Sequence, residues 1–221
     1  MTTIPVTILD NFFDNPDTLR DWGLSLEYKP DPEGRFPGKR TECLSLINTP
    51  LYEYLNAKVF SLFFENLIPY ECNLYFQLIE GYQGDGWIHQ DSDVFTFIIY
   101  LSPENEINCG TSLYNLKPNV IFPGNSFEGY NIVNLIRNHY KTKYLSPEIK
   151  NIKDQYHESA FNKTLDIKDK YNRLLCFSSE LHHNSNDLTN NETSRLTLIG
   201  FVRKLHTSNL PIIRSKQTIM G

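Results

Sequence analysis

Apolar residues recur along this chain with two different periods, and the change between them separates an N-terminal helical part from a longer part built of strands. Residues 3–9 carry enough Thr, Ile and Val to predict a first strand. Asp14-Asn15-Pro16 then supplies an N-cap with proline in the first turn. The helix it opens carries Leu19, Trp22, Leu24 and Leu26, is weakened by Gly23 and stops before Lys29-Pro30. Residues 30–41 read as a loop with a solvated basic tip at Lys39-Arg40. Thr49-Pro50 opens a stronger helix, because Leu51, Tyr54, Leu55, Val59, Leu62 and Phe63 recur every three or four residues through about residue 67.

From residue 72 the period becomes two. Over 72–80, Leu74, Phe76 and Leu78 alternate with Tyr75, Gln77 and Ile79, which gives one apolar face and one mixed face able to line a pocket. Further strands are predicted at 94–101, from Cys109-Gly110-Thr111 onward, at 173–177 and at 193–203. In the last, Leu196, Leu198, Gly200 and Val202 face one way and Arg195, Thr197, Ile199 and Phe201 the other. Gly110 permits a bulge or a close backbone approach. An acidic loop at 102–108, a turn-rich stretch at 184–192 and a tail from 205 complete this part. Residues 124–170, rich in Asn, Lys and Tyr with one helix-like patch at 130–144, form an excursion too long for a plain loop, and both a lid and a surface embellishment fit it.

Composition narrows the class. A length of 221 residues fits a single domain over 1–221, and 40% hydrophobic with 13% aromatic residues describes a globular chain. The net charge of −5, with no Lys/Arg block, argues against general nucleic-acid binding. The N-terminus lacks a basic segment followed by a sustained apolar one, and no later run approaches about 18 apolar residues, so a cytoplasmic protein without a membrane partner is expected. Cys43, Cys72, Cys109 and Cys176 form no C-x-x-C pair, which points to buried thiols in a reducing compartment.

The candidate chemistry lies just after the glycine-rich turn at 81–86. His89 and Asp91, two residues apart on an extended backbone, project from one face and can hold one ion together. The doublet His182-His183, past the strand at 173–177, offers a third ligand. Two histidines and one carboxylate make the facial triad that leaves open positions on a non-haem Fe(II). Arg195 follows 12 residues after His183 in the last strand. These segments come where a jelly roll would gather its strand ends.

With these pieces in order, the chain resembles the Fe(II)- and 2-oxoglutarate-dependent dioxygenase superfamily, nearest its prolyl-hydroxylase-like branch and the small bacterial and phage members. The resemblance covers 72–203 and rests on His89-x-Asp91, then His183, then Arg195-x-Thr197. It implies a mainly β fold, a double-stranded β-helix or jelly roll backed by the N-terminal helices. It implies iron on His89, Asp91 and His183, the last because Phe177-Ser178-Ser179-Glu180-Leu181-His182-His183 is similar to the family's approach to its distal ligand, with Ser for Pro. His182 is then a neighbour. It also implies that Arg195 and Thr197 bind the distal carboxylate of 2-oxoglutarate, with Tyr100, in Tyr100-Leu101-Ser102, meeting the same group.

The activity implied is hydroxylation of an aliphatic C–H, with O2 as the other co-substrate, on a small-molecule amino acid or on a peptide residue such as proline. Tyr75, Gln77, Trp87 and Arg40 are the candidates for the substrate side. Two rivals remain at this point: a jelly-roll binding or structural module without turnover, and a cupin-like metalloenzyme that needs no 2-oxo acid. Cys109-Gly110-Thr111 departs mildly from the family's Gly-Gly-Thr, and the 124–170 excursion is longer than in compact members.

Overall fold

The helices begin where side chains replace the missing backbone acceptors. Strand β1 (Thr7–Leu9) leads to helix α1 (Pro16–Leu24), where Asn15 Oδ1 accepts from the Thr18 N–H at 3.4 Å and Pro16 takes the first turn. Gly23 is there for contact: a Cβ on it would stand 2.6 Å from the ring of Phe76, so the glycine lets the helix approach the sheet. Strands β2 (Lys29–Pro30) and β3 (Lys39–Arg40) and the short helix α2 (Leu44–Ile47) follow. Helix α3 (Thr49–Phe60) is capped by Asn48, whose Oδ1 accepts from the Leu51 N–H at 3.1 Å. It ends earlier than its apolar period suggests, because the chain turns and sends Phe63 and Phe64 into the core from outside the helix.

The remaining elements are β4 (Tyr70–Ile79), β5 (Phe95–Tyr100), β6 (Thr111–Leu116), β7 (Ser126–Phe127), β8 (Tyr130–Asn131), α4 (Ile132–Thr142), α5 (Pro147–Ala160), β9 (Phe161–Ile167), β10 (Leu174–Ser178), β11 (His182–Ser185) and β12 (Arg195–Leu205). This computed structural model describes residues 4–82, 84–103, 109–120, 125–188 and 194–207. The expected acidic loop at 102–108, the turn-rich stretch at 184–192 and the tail from 205 lie in part outside the described residues, as do positions 3, 124 and 193 at the ends of other expected segments.

Seven strands form one sheet in the order β1-β10-β5-β12-β4-β3-β2, and β11-β6-β9 form a second. All their pairings are antiparallel. The large sheet sorts its residues by parity. Leu74, Phe76, Phe97, Leu196, Leu198 and Val202 turn toward the helices and form the main core. Tyr75, Gln77, Arg195, Thr197, Ile199 and Phe201 turn the other way and line a cavity. The fold is therefore mainly β and of the jelly-roll kind, with the helices against the outer face of the large sheet.

Two segments differ from their sequence reading. Residues 30–41 contain an edge hairpin, β2 with β3, and β3 continues the sheet by pairing Arg40 with Gln77 and Lys39 with Leu78. Two-residue strands are too short to leave a period in the sequence, and Arg40 is half-buried against the cavity instead of at a solvated tip. The excursion at 124–170 holds two helices where one was expected, and its last part, β9, is a strand of the second sheet. Asn131 and Ser146 cap α4 and α5 by accepting from Asn134 N–H at 3.0 Å and Ile149 N–H at 3.2 Å. The helices pack over the turn that precedes His89, with Ile79, Tyr82, Trp87, Ile88, Tyr140 and Tyr156 in a second apolar cluster. They support that turn, and Tyr140 of α4 also reaches the cavity described below. Among the described residues, no helix is long and apolar enough to cross a membrane.

Candidate metal centre

His89 and His183 are welded together through their backbones. They form an isolated antiparallel bridge, the His89 N–H donating to His183 O at 3.0 Å and the His183 N–H to His89 O at 2.8 Å. Asp91 is anchored beside them by its own N–H, which donates to Ser179 O at 3.1 Å. Ligand atoms of His89, Asp91 and His183 all lie within 4.8 Å of one another.

Hydrogen bonding fixes which imidazole nitrogen is available. A carbonyl oxygen can only accept, so Nδ1 of His89, 2.8 Å from Trp87 O, and Nδ1 of His183, 2.8 Å from Leu181 O, both carry the proton. Nε2 of each ring is then the atom turned to Asp91, at 3.7 Å from Oδ1 for His89 and 3.4 Å from Oδ2 for His183, and it offers a lone pair when the ring is neutral. Ligands about 2.1 Å from a shared ion stand roughly 3 Å apart, so this set needs only a small contraction to close on a divalent cation. Thr96 Oγ1 donates to Asp91 Oδ2 at 2.9 Å and lies 3.0 Å from Ser179 Oγ, which orients the carboxylate.

The charge states suit the same role. Burial, the larger cause, and the adjacent His183 lower the pKa of His89 to about 4, although 45% of its side chain is accessible. Burial works to raise the carboxyl of Asp91, but the hydrogen bond and charge of His183, then that of His89, hold it well below the usual carboxylate range. A neutral imidazole and an ionised carboxylate are the forms that bind a metal.

The turn bearing His89 is held from the α4–α5 excursion. Ile88 N–H donates to His157 Nε2 at 3.1 Å, Trp87 N–H to Tyr140 Oη at 3.3 Å, and Trp87 Nε1 to His139 Nδ1 at 3.2 Å. Lys153, with its side chain 1% exposed, donates from Nζ to Asp85 O at 2.9 Å and forms an ion pair with the Asp85 carboxylate. His157 accepts at Nε2, so it must be neutral, and burial followed by the charge of Lys153 lowers its pKa from 6.5 to about 4. The unfolded chain then takes up the proton more readily, so this contribution is complete above pH 6.5 and is lost as pH falls toward 4. Urea denaturation between pH 7.5 and 5 is expected to show a shallower loss of stability in His157→Gln, which keeps an acceptor but does not titrate. An unchanged slope would remove His157 from this account.

The cavity beside the triad has a volume of about 630 Å3 and is lined by His89, Asp91, His183, Arg195 and Thr197 among others. Arg195 is 7% exposed, and its Nε makes no hydrogen bond among the described residues. Such an atom is costly to bury alone, and an anion entering the cavity would satisfy it. Thr197 is buried two residues along the same face. Tyr100 lies beneath Arg195, whose Cζ is 5.5 Å from its ring centroid, and its hydroxyl is 2.9 Å from Thr111 Oγ1. Tyr100 is thus next to the arginine without lining the cavity.

The structure brings His183 to Asp91 and sends His182 to the opposite face, where its ring centroid is 5.0 Å from that of Phe161. Of the substrate-side candidates, Tyr75, Gln77 and Arg40 line the cavity, whereas Trp87 is fully buried in the second cluster. Asp85, Lys153 and His157 were not foreseen. The one signal for them is Lys153 on the apolar face of α5, between Ile152 and Tyr156.

No family model matches the sequence, and no curated protein does. Solved structures do match. HygX from Streptomyces hygroscopicus, determined with nickel and 2-oxoglutarate bound, aligns with a TM-score of 0.54 at 12% identity, over 90% of this chain and 83% of that one. A Pseudomonas putida prolyl-4-hydroxylase aligns with a TM-score of 0.43 at 13% identity, over 90% and 92% of the two chains. A Burkholderia pseudomallei protein of the 2OG-Fe(II) oxygenase family aligns with a TM-score of 0.46 at 11% identity, over 90% and 84%. Together with the sheet order and the parity of its faces, the likeness to HygX gives the chain the fold of that protein.

Proposed function

We propose that the protein is an Fe(II)- and 2-oxoglutarate-dependent dioxygenase that hydroxylates an aliphatic C–H of an amino acid or of a peptide residue such as proline. One observation carries this reading. Three metal-ligating atoms and a buried arginine with an unpartnered Nε open into the same cavity. His89, Asp91 and His183 would hold the metal through Nε2, a carboxylate oxygen and Nε2. Arg195 would pair with the distal carboxylate of 2-oxoglutarate, Thr197 would add a hydroxyl, and Tyr100 would support the guanidinium from below. Bound together, Fe(II) and the 2-oxo acid couple reduction of O2 to oxidative decarboxylation and hydroxylation. The protein's part is to orient the substrate carbon and to exclude water with the wall of Ile98, Ile199 and Phe201.

Anaerobic titration of the metal-free protein with Fe(II) and then 2-oxoglutarate tests this. A visible charge-transfer band is expected from the chelated 2-oxo acid. It should vanish in His183→Ala and need at least about tenfold more 2-oxoglutarate in Arg195→Ala, given the strength of charge-assisted hydrogen bonds. Fe(II) binding without a band in the wild type would overturn the 2-oxo acid, and absence of metal binding would overturn the enzyme.

A further inference from the structure

The cavity holds a second arginine. Arg40 Nε and Nη2 lie 3.3 and 3.2 Å from Gln77 Oε1, while Gln77 donates from Nε2 to Pro37 O at 2.7 Å. The guanidinium carbon stands 3.8 Å from the ring centroid of Phe36, 5.0 Å from that of Phe201 and 5.7 Å from that of Tyr75. Among the described residues no carboxylate comes within 4.0 Å of it. The group is thus held in one orientation and partly desolvated by three rings, and its Nη1 forms no hydrogen bond among the described residues.

Its position separates it from Arg195. Arg40, Gln77, Thr197 and Tyr100 form one row across β3, β4, β12 and β5, and so share the cavity face of the sheet. Arg195 lies two residues along β12 from that row. With strands about 4.8 Å apart and a rise of about 3.4 Å per residue, the two Cα atoms are about 12 Å apart, room for two separate anions. On the oxygenase reading, Arg195 takes the co-substrate. The remaining anion then belongs to the molecule being oxidised.

We infer that Arg40 receives the carboxylate of the substrate, and that the substrate is a free α-amino acid and not a residue inside a peptide chain. The inference rests on the oxygenase reading. A residue within a peptide presents amides at both ends and brings no carboxylate to the half-buried guanidinium, whose nearest carboxylates, Asp91 and Asp31, act on it only from beyond ion-pair distance. Glu42, which lines the cavity two residues further on and forms no ion pair among the described residues, offers the ammonium group an opposite charge.

Calorimetric titration of the Ni(II)- and 2-oxoglutarate-loaded protein with the twenty free L-amino acids and their α-amides tests it. At least one free acid should bind while its amide does not, and Arg40→Met should weaken that binding about 10- to 100-fold with 2-oxoglutarate affinity retained. Equal binding of acid and amide, no binding of any free acid, or undiminished binding by Arg40→Met would each overturn it. The acid-amide comparison needs only the wild type, so it stands even if the variant folds poorly. Failure of the wild type to take up Ni(II) and 2-oxoglutarate would instead strike the oxygenase reading, and this inference with it.

Discussion

Asp91→Ala is expected to lower divalent-metal affinity by at least about 100-fold, more than the loss that follows removal of a group behind a ligand. Asp91 supplies the only carboxylate of the triad and faces both imidazoles at once, so its removal takes away a ligand atom and the negative charge together. Two imidazoles remain. The backbone bond from Asp91 N–H to Ser179 O survives the substitution, as does the bridge between His89 and His183, so the far-ultraviolet circular dichroism should stay unchanged. Thr96→Val, which removes the hydroxyl that orients the carboxylate and its contact with Ser179 Oγ but no ligand atom, should cost about tenfold. Anaerobic titration with Fe(II) or Co(II) measures all three proteins, and wild-type affinity in Asp91→Ala would dispose of the proposed centre.

Gly110→Ala is expected to destabilise the fold by about 3 kcal/mol, the upper part of the range for overpacking. A Cβ at Gly110 would stand 1.8 Å from Ile167 O, 2.8 Å from Ile167 C and 2.9 Å from Asp169 N, all backbone atoms that no rotamer change can move. The position immediately precedes β6, whose first residue, Thr111, pairs with Ile167 on β9. Relief therefore means opening the second sheet at its end. For a chain of this size such a loss lowers Tm by roughly 6–12 °C. Gly129→Ala is the comparison, because nothing lies within 4 Å of its Cβ and only its φ of +80° opposes the change, which should cost about 1 kcal/mol. If the two substitutions proved equal in urea denaturation, the close approach at Gly110 would be mistaken.

How much of this was legible depends on whether a residue's role is local. The two faces of β12 and β4 were readable because alternation is a property of the strand itself and both faces meet protein. Asn15-Pro16 announced α1 through capping chemistry that needs no partner. Ser146-Pro147 gives the same kind of signal for α5 and was overlooked within a segment judged by its polar composition. Strand β9 hid for a physical reason: it is an edge strand of the second sheet and five consecutive residues, 162–166, are exposed on both its faces, so no period of two survives. His183 and Arg195 were placed by resemblance, and Arg40 was named for the substrate side without its environment, which Phe36, Tyr75 and Phe201 make from three different segments. The pairing of Lys153 with Asp85, 68 positions apart, is likewise invisible until the chain has folded.

The backbone bridge between His89 and His183 sets the thermodynamic standing of the apoprotein. In domains whose ligands meet only around their ion, the free energy of binding is spent on folding, and a chelator unfolds them. Here main-chain hydrogen bonds that need no ion join the ligand-bearing segments, so the entropy of bringing them together belongs to folding. A metal bound there would then act as an ordinary ligand of a native protein. Its gain in stability would follow mass action, about 2.7 kcal/mol at a free concentration 100 times its Kd, and chelation is expected to leave the far-ultraviolet circular dichroism unchanged.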